Sequence, residues 1–390
     1  MEFEYWWLIV CPLFFALGWL AARIDINHLI HESRSVPRAY FKGLNFLLNE
    51  EPDRAIDAFI EVVRIGPETI DLHFALGSLF RRRGETERAI RMHRNLLERT
   101  DLAPEQRDHA LAELGEDFLK AGLLDRAEEC FQKLRAGAYH GEALEHLLNI
   151  YQLLKEWPKA ITTAQALTDE CGQARQREIA HFHCELAQQA QAADDLERAR
   201  AELDLALQSN RLCTRANIML GDLAAREGQP AQAIEIWRRI EQQDPEFLAL
   251  VARRMLDAYR ALGQYAEGVA RIKCYLTDYP ALDSLDVAFQ ASLEQDGPEE
   301  AHRMVRDELR RNPTLRGLDH LLEAQLLDVG TEQRSELEMV KSLVHNHTQR
   351  LSRYKCENCG FRARQFHWQC PACAGWESYP PRRVEEFDLS

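Results

Sequence analysis

Nowhere in the chain is there a glycine-rich phosphate loop, an H-E-x-x-H pair or a G-x-S-x-G elbow, so the usual sequence marks of nucleotide, metalloprotease and serine-hydrolase chemistry are missing. Positive charge is also in deficit. The 48 Lys and Arg against 63 Asp and Glu leave a formal charge of -15 at pH 7. A polyanionic partner needs a concentrated basic face to release counterions, so nucleic acid is not expected. Proline and glycine are sparse, at 14 and 19 of 390 residues, while 46% of residues are hydrophobic, which points to folded, mostly helical material. A disulfide framework is not indicated either. Six of the ten cysteines, Cys11, Cys130, Cys171, Cys184, Cys213 and Cys274, are scattered singly. Such cysteines read as small buried apolar residues in a reducing compartment.

One long uncharged run is present, YWWLIVCPLFFALGWLAA from Tyr5 to Ala22. At about 1.5 Å per residue it reaches roughly 27 Å, close to a hydrocarbon core. Tyr5, Trp6 and Trp7 lie at one end and Trp19 at the other, where amphipathic rings favour the interfaces. The residues before the run are acidic, Glu2 and Glu4, which is unlike the basic start of a cleaved signal peptide. Arg23, Arg34, Arg38 and Lys42 follow it, so the positive-inside bias predicts a single-pass membrane anchor over 1–24 with the bulk of the chain on the cytoplasmic side.

A period of about 34 residues follows a linker at 25–36. Gly43, Gly77, Gly115 and Gly221 each precede an alanine by 12 positions, at Ala55, Ala89, Ala127 and Ala233. The units include GSLFRRRGETERAIRMH and GDLAAREGQPAQAIEIW, and they resemble the tetratricopeptide repeat. The small residues are expected where two helices cross closely, with Phe59 or Trp237 filling the gap to the next unit. Pro67, Pro245, Pro280 and Pro313 fall where a second helix should stop. Weaker copies centre on Ala160, Ala199, Gly268 and Ala301, and a helical stretch from Leu315 to about His347 completes an array over 37–348. The expected fold class is all-α, a tetratricopeptide superhelix. Its first helices line a concave groove, so register nominates Arg81, Arg82, His109, Glu116, Lys120, Glu142, Glu145, Gln152, His181, Gln188 and Arg253 for contact with protein partners.

The segment 349–390 contains CENCGFRARQFHWQCPACAGW. Cys356 and Cys359, then Cys370 and Cys373 after a ten-residue gap, form two C-x-x-C knuckles. Two such knuckles close a tetrahedral shell of four thiolates around one iron or zinc ion. The knuckles, with Gly360 and Trp376, resemble rubredoxin and zinc-ribbon modules. The gap is shorter than in a free-standing rubredoxin, and a filled shell has no open position for catalysis, so the site reads as structural. Residues 350–390 carry seven Arg or Lys against five Asp or Glu, a net of +2, which leaves -17 elsewhere. The module is therefore expected to dock on the acidic array, with Phe361, Phe366, Trp368 and Trp376 in apolar contact. In HFHCELA, His181 and His183 are two apart on a helix and face different ways, so no metal site is expected there.

The short N-terminal run, SVPRAYFKGLNFLL, RRRGETERAIRMH, EIAHFHCELA, DDLERA and the terminal CENCGF and WQCPAC occur in an order and spacing that resembles the lipopolysaccharide assembly protein B family. That resemblance implies a non-enzymatic adaptor in the bacterial inner membrane that regulates lipopolysaccharide synthesis. It implies three partners: an FtsH-type membrane protease, the deacetylase LpxC as its client, and an inner-membrane regulator at the anchor. A scaffold that gathers lipopolysaccharide-synthesis enzymes without proteolysis and a rubredoxin-type redox carrier are the alternatives. Self-association stays open.

Overall fold

The computed structural model describes residues 42–384, apart from 44, 47, 48, 50, 52, 53, 59–69, 135, 280–282 and 352. The expected anchor at 1–24 and linker at 25–36, with Cys11, Phe59, Pro67 and Pro280, lie outside the described residues. Among the described residues no helix is long and apolar enough to cross a membrane. By contact the chain divides into two compact units, Met1–Leu153 and Leu154–Ser390.

The first unit contains α1 (Ile70–Arg83), α2 (Thr86–Leu97), α3 (Pro104–Lys120), α4 (Leu124–Phe131) and α5 (His140–Leu154). The second begins with α6 (Trp157–Cys171), α7 (Gln176–Ala192), α8 (Leu196–Ser209), α9 (Thr214–Arg226) and α10 (Pro230–Arg238). After the short α11 (Ile240–Gln243) and a 3-10 turn (Pro245–Leu250) come α12 (Ala252–Ala261), α13 (Tyr265–Asp278), α14 (Leu285–Asp296), α15 (Pro298–Arg311), α16 (Leu315–Asp328) and α17 (Thr331–Leu351). Two short antiparallel strands close the chain, β1 (Tyr354–Lys355) and β2 (Arg362–Ala363), with Tyr354 opposite Ala363.

The hairpins form where the sequence places small residues. Ala55, Ala89, Ala127, Ala160, Ala199, Ala233 and Ala301 are each 0% exposed. The glycine column has a different partner from the expected one. A Cβ built on Gly221 would lie 2.2 Å from Nε1 of Trp237, one on Gly115 2.6 Å from Cζ of Phe131, and one on Gly77 2.1 Å from Nε2 of His93. Each glycine therefore receives the ring 16 residues later, inside its own hairpin. Trp237 lies over Gly221, its Nε1 donates to Ile218 O at 3.2 Å, and it shares one core cluster with Phe247, Val251 and Met255 of the following unit.

Helix ends follow local chemistry. Proline opens α3, α10 and α15, where a missing amide donor costs nothing. Asp195 caps α8 by accepting from Arg198 N at 3.0 Å, and Thr314 caps α16 by accepting from Gly317 N at 3.0 Å. Pro245 and Pro313 fall just past the ends of α11 and α15, as expected. The core of the second unit runs without a break from Ala180 to Ala291 and includes Trp237, Phe247, Met255 and Tyr275. Cys130, Cys184 and Cys213 are buried as expected, whereas Cys274 is exposed and Cys171 only partly covered.

The close approach at Gly221 yields a test. Gly221→Ala is expected to lower stability by about 1 to 3 kcal/mol, because Trp237 is enclosed and cannot step aside. Gly330→Ala, where an added Cβ meets nothing within 4 Å, should leave the denaturation midpoint unchanged. Chemical denaturation of the two variants in parallel checks this.

Candidate metal centre and the surface it docks on

Two knuckles bring Cys356, Cys359, Cys370 and Cys373 together, with all four sulfurs within 4.8 Å of one another. Cys356 Sγ lies 3.8 Å from Cys373 Sγ, and Cys359 Sγ 3.7 Å from Cys370 Sγ. Four sulfurs each about 2.3 Å from a central ion would stand roughly 3.8 Å apart, so the donor set fits one tetrahedrally bound metal. Gly360 makes the first knuckle's turn with φ +76°, and Ala374 occupies the same place in the second at φ +56°. Backbone amides converge on the sulfurs: Asn358 and Cys359 on Cys356, Phe361 on Cys359, Ala372 and Cys373 on Cys370, and Gly375 on Cys373. Burial would raise the Cys356 thiol, but Ser378 and those amides hold it down to about 6, so its thiolate is ready at neutral pH. An ion held by these four would supply structural closure, and no coordination position would remain for a substrate.

The module's own interior is small, built around Cys356, Cys370 and Tyr379. Its larger rings turn outward onto the second unit. Trp376 stacks on His181 at 4.8 Å and 14° and meets Phe182 and Trp157 edge-on at 5.9 and 6.4 Å. Trp368 stacks on Phe247 at 5.2 Å, and Phe366 meets the same ring edge-on at 6.1 Å. The docking expected for Phe366, Trp368 and Trp376 is present, but Phe361 departs from it. It is 43% exposed.

Charge pins the apolar contact. The guanidinium of Arg215, at the start of α9, lies over both Trp368 and Trp376 at 5.8 and 5.9 Å. Its Nη2 donates to Glu185 at 2.7 Å and Gln188 at 3.2 Å. Glu377 Oε1 is 3.0 Å from His181 Nε2, and Arg383 donates through Nε and Nη2 to Asp283 at 2.7 and 3.1 Å. Burial drives the His181 ring below its ordinary 6.5, although Glu377 beside it pulls the other way. His181, nominated for an outside partner, is thus engaged by the chain's own tail and has no exposed surface left, whereas Gln188, also nominated, is exposed and bonded to Arg215. His183 turns elsewhere, to Glu202 at 2.8 Å.

In the first unit four nominated residues come together on α1, α3 and α5. Arg81 contacts Glu113, Glu116 and Asp117, each at 2.8 Å. Asp117 also takes Nδ1 of the buried His93 at 2.6 Å. His109 stacks between Phe74 at 4.1 Å and Tyr139 at 5.2 Å, and Glu142 lies 3.9 Å from Nε2 of His146. Burial, then the neighbouring Glu113 and Glu142, hold the Glu116 carboxyl above its usual range, against the opposing pull of Arg81. Arg82, Lys120 and Arg253 are exposed, while Glu145 and Gln152 are partly covered and engaged. Sequence reasoning missed Arg215, Glu377, Asp283 and His146. Only His146 had a local signal, four residues after Glu142 on one helix face.

Two outcomes follow. Trp376→Ala is expected to weaken docking by about 3 kcal/mol, raising the undocked fraction roughly 100-fold and the rate of proteolytic cleavage near 352 with it. Metal content should not change. Cys356→Ser with Cys359→Ser should empty the four-cysteine site, lowering the metal content by one ion per chain on elemental analysis. Acid should also release the tail. His181 is neutral when docked, so docking is at full strength above pH 6.5 and weakens as pH falls below it, where the undocked ring gains a proton. His181→Phe should flatten the pH dependence of cleavage between pH 7.5 and about 5.5.

Comparison with known proteins finds both the repeats and the four-cysteine module. A rubredoxin metal binding domain model covers residues 354–380, and tetratricopeptide repeat models cover 72–108 and 184–246. Lipopolysaccharide assembly protein B of Haemophilus influenzae is 29% identical over 399 residues, 97% of this chain and 98% of that protein. Its counterpart in Escherichia coli is 35% identical over 379 residues, 96% of this chain and 97% of that protein. With repeats, four-cysteine module and near full-length similarity together, the chain belongs to the lipopolysaccharide assembly protein B family.

Proposed function

We propose that the chain is a cytoplasm-facing adaptor of the bacterial inner membrane, anchored through residues 1–24, that presents the deacetylase LpxC to an FtsH-type membrane protease and so limits lipopolysaccharide synthesis. The division runs from this anchor, through a linker at 25–36 and an array at 37–348, to a metal module at 349–390. One observation carries the reading: the tail occupies the second unit at His181, while the first unit gathers Arg81, His109, Glu116 and Glu142 into one charged face of its own. A client is therefore assigned to that face and its exposed neighbours, Arg82 and Lys120, with Glu145 and Gln152 of the same unit, and Arg253 is assigned to partner contact on the second unit by itself. Family membership supports a role in lipopolysaccharide assembly, and repeat hairpins without a catalytic motif support a protein-binding, non-enzymatic one.

Tethering explains how weak contacts suffice. A chain held beneath the bilayer meets a membrane-bound protease at raised effective concentration, without high affinity per contact. The deciding measurement is the half-life of LpxC after depletion of this protein in cells, which should lengthen. An unchanged half-life would favour the scaffold that assembles synthesis enzymes without proteolysis. A form lacking residues 1–24 should keep its helical signal yet fail to restore turnover, and full turnover by that form would refute the tether.

A further inference from the structure

We propose that Glu116, Glu142 and His146 form a second metal site, for a divalent transition cation of the zinc class, on the first unit. Among the described residues these three and the four clustered cysteines are the groups whose donor atoms all lie within 4.8 Å of one another. The two sets share no residue and lie in different units.

Glu116 comes from α3, while Glu142 and His146 sit four apart on one face of α5. His146 is aimed. Its ring stacks on Phe131 at 4.7 Å and 21°, which directs Nε2 toward Glu116 Oε1 at 3.8 Å and Glu142 Oε1 at 3.9 Å. That nitrogen is closed to solvent and has no hydrogen-bond partner, an unusual state for a buried ring nitrogen. Both separations exceed hydrogen-bonding reach, yet donors about 2.1 Å from a shared ion stand roughly 3 to 4 Å apart. The second oxygen of Glu116 is held by Arg81 at 2.8 Å, which fixes the carboxylate and leaves Oε1 for the site.

Charge also favours a cation. Three carboxylates, Glu113, Glu116 and Asp117, contact one guanidinium, Arg81, and Glu142 adds a fourth carboxylate beside His146. One imidazole and two carboxylates suit zinc and its neighbours, and three protein donors leave further positions to water.

The test counts zinc bound per chain to the full-length protein in detergent, by equilibrium dialysis against Zn2+ and elemental analysis. Two ions are expected in the parent and one in Glu142→Gln, in His146→Ala and in Cys356→Ser with Cys359→Ser. Glu142 is exposed, so its amide variant keeps the helices intact, as circular dichroism should show. With Co2+, the ion remaining in the cysteine variant should give weak visible bands and no thiolate charge transfer. A parent holding one ion, or a second ion that survives both Glu142→Gln and His146→Ala, overturns the assignment.

Discussion

The second unit is organised around one contact, in which Arg215 is sandwiched between the array and the two tryptophans of the tail. A module of some forty residues cannot enclose enough apolar surface to stand by itself, and here its interior amounts to two cysteines and a tyrosine. Its large rings therefore have to find cover elsewhere. They find it on α7, α9 and the 3-10 turn, where His181, Phe182 and Phe247 offer flat partners. Arg215 closes the arrangement because a nearly buried guanidinium must be paired, and Glu185 and Gln188 pair it. Removing the tail would expose the rings and also strip two aromatic faces from a charge that sits in the array.

The charged cluster of the first unit obeys a different logic. Arg81, Asp117 and His93 are joined in a network whose centre is shut off from water, and such networks seldom raise stability above that of a well-packed apolar equivalent. Their effect is on geometry. Each carboxylate has a fixed neighbour, so the outer members Glu116, Glu142 and His109 are presented in set orientations, as a recognition surface requires. The two units thus use the same repeat differently: one spends its inner helices on an internal guest, the other keeps a polar face.

Which of these features could be read in the residues depends on how far apart the interacting groups lie. The alanine column, the stop prolines and the four cysteines are local and recur at fixed spacing, so periodicity exposes them. The glycine column was legible as a crossing point, but its partner was not, because the ring that fills it varies between His93, Phe131 and Trp237. A histidine in that series looks like a solvated helix residue until Gly77 is seen beneath it. Arg383 reaches Asp283 across 100 residues, and Arg215 meets the tail across more than 150, beyond any pattern carried by one repeat. Register correctly placed His181 and Gln188 on first helices. It had no means of showing that the same chain would return to cover His181.

That return couples two properties that look separate. Trp368 and Trp376 flank the Cys370 and Cys373 knuckle, so their positions depend on the four thiolates being held together. Stabilising the knuckles stabilises the rings' approach to the array, and by reciprocity an array that holds Arg215 and His181 in place tightens the knuckles. Charge acts in the same direction within the second unit, where Arg383 of the tail pairs with Asp283. The module is therefore better regarded as the last structural unit of the array than as an appended domain, and its metal chemistry bears on how much of the array's inner surface stays closed.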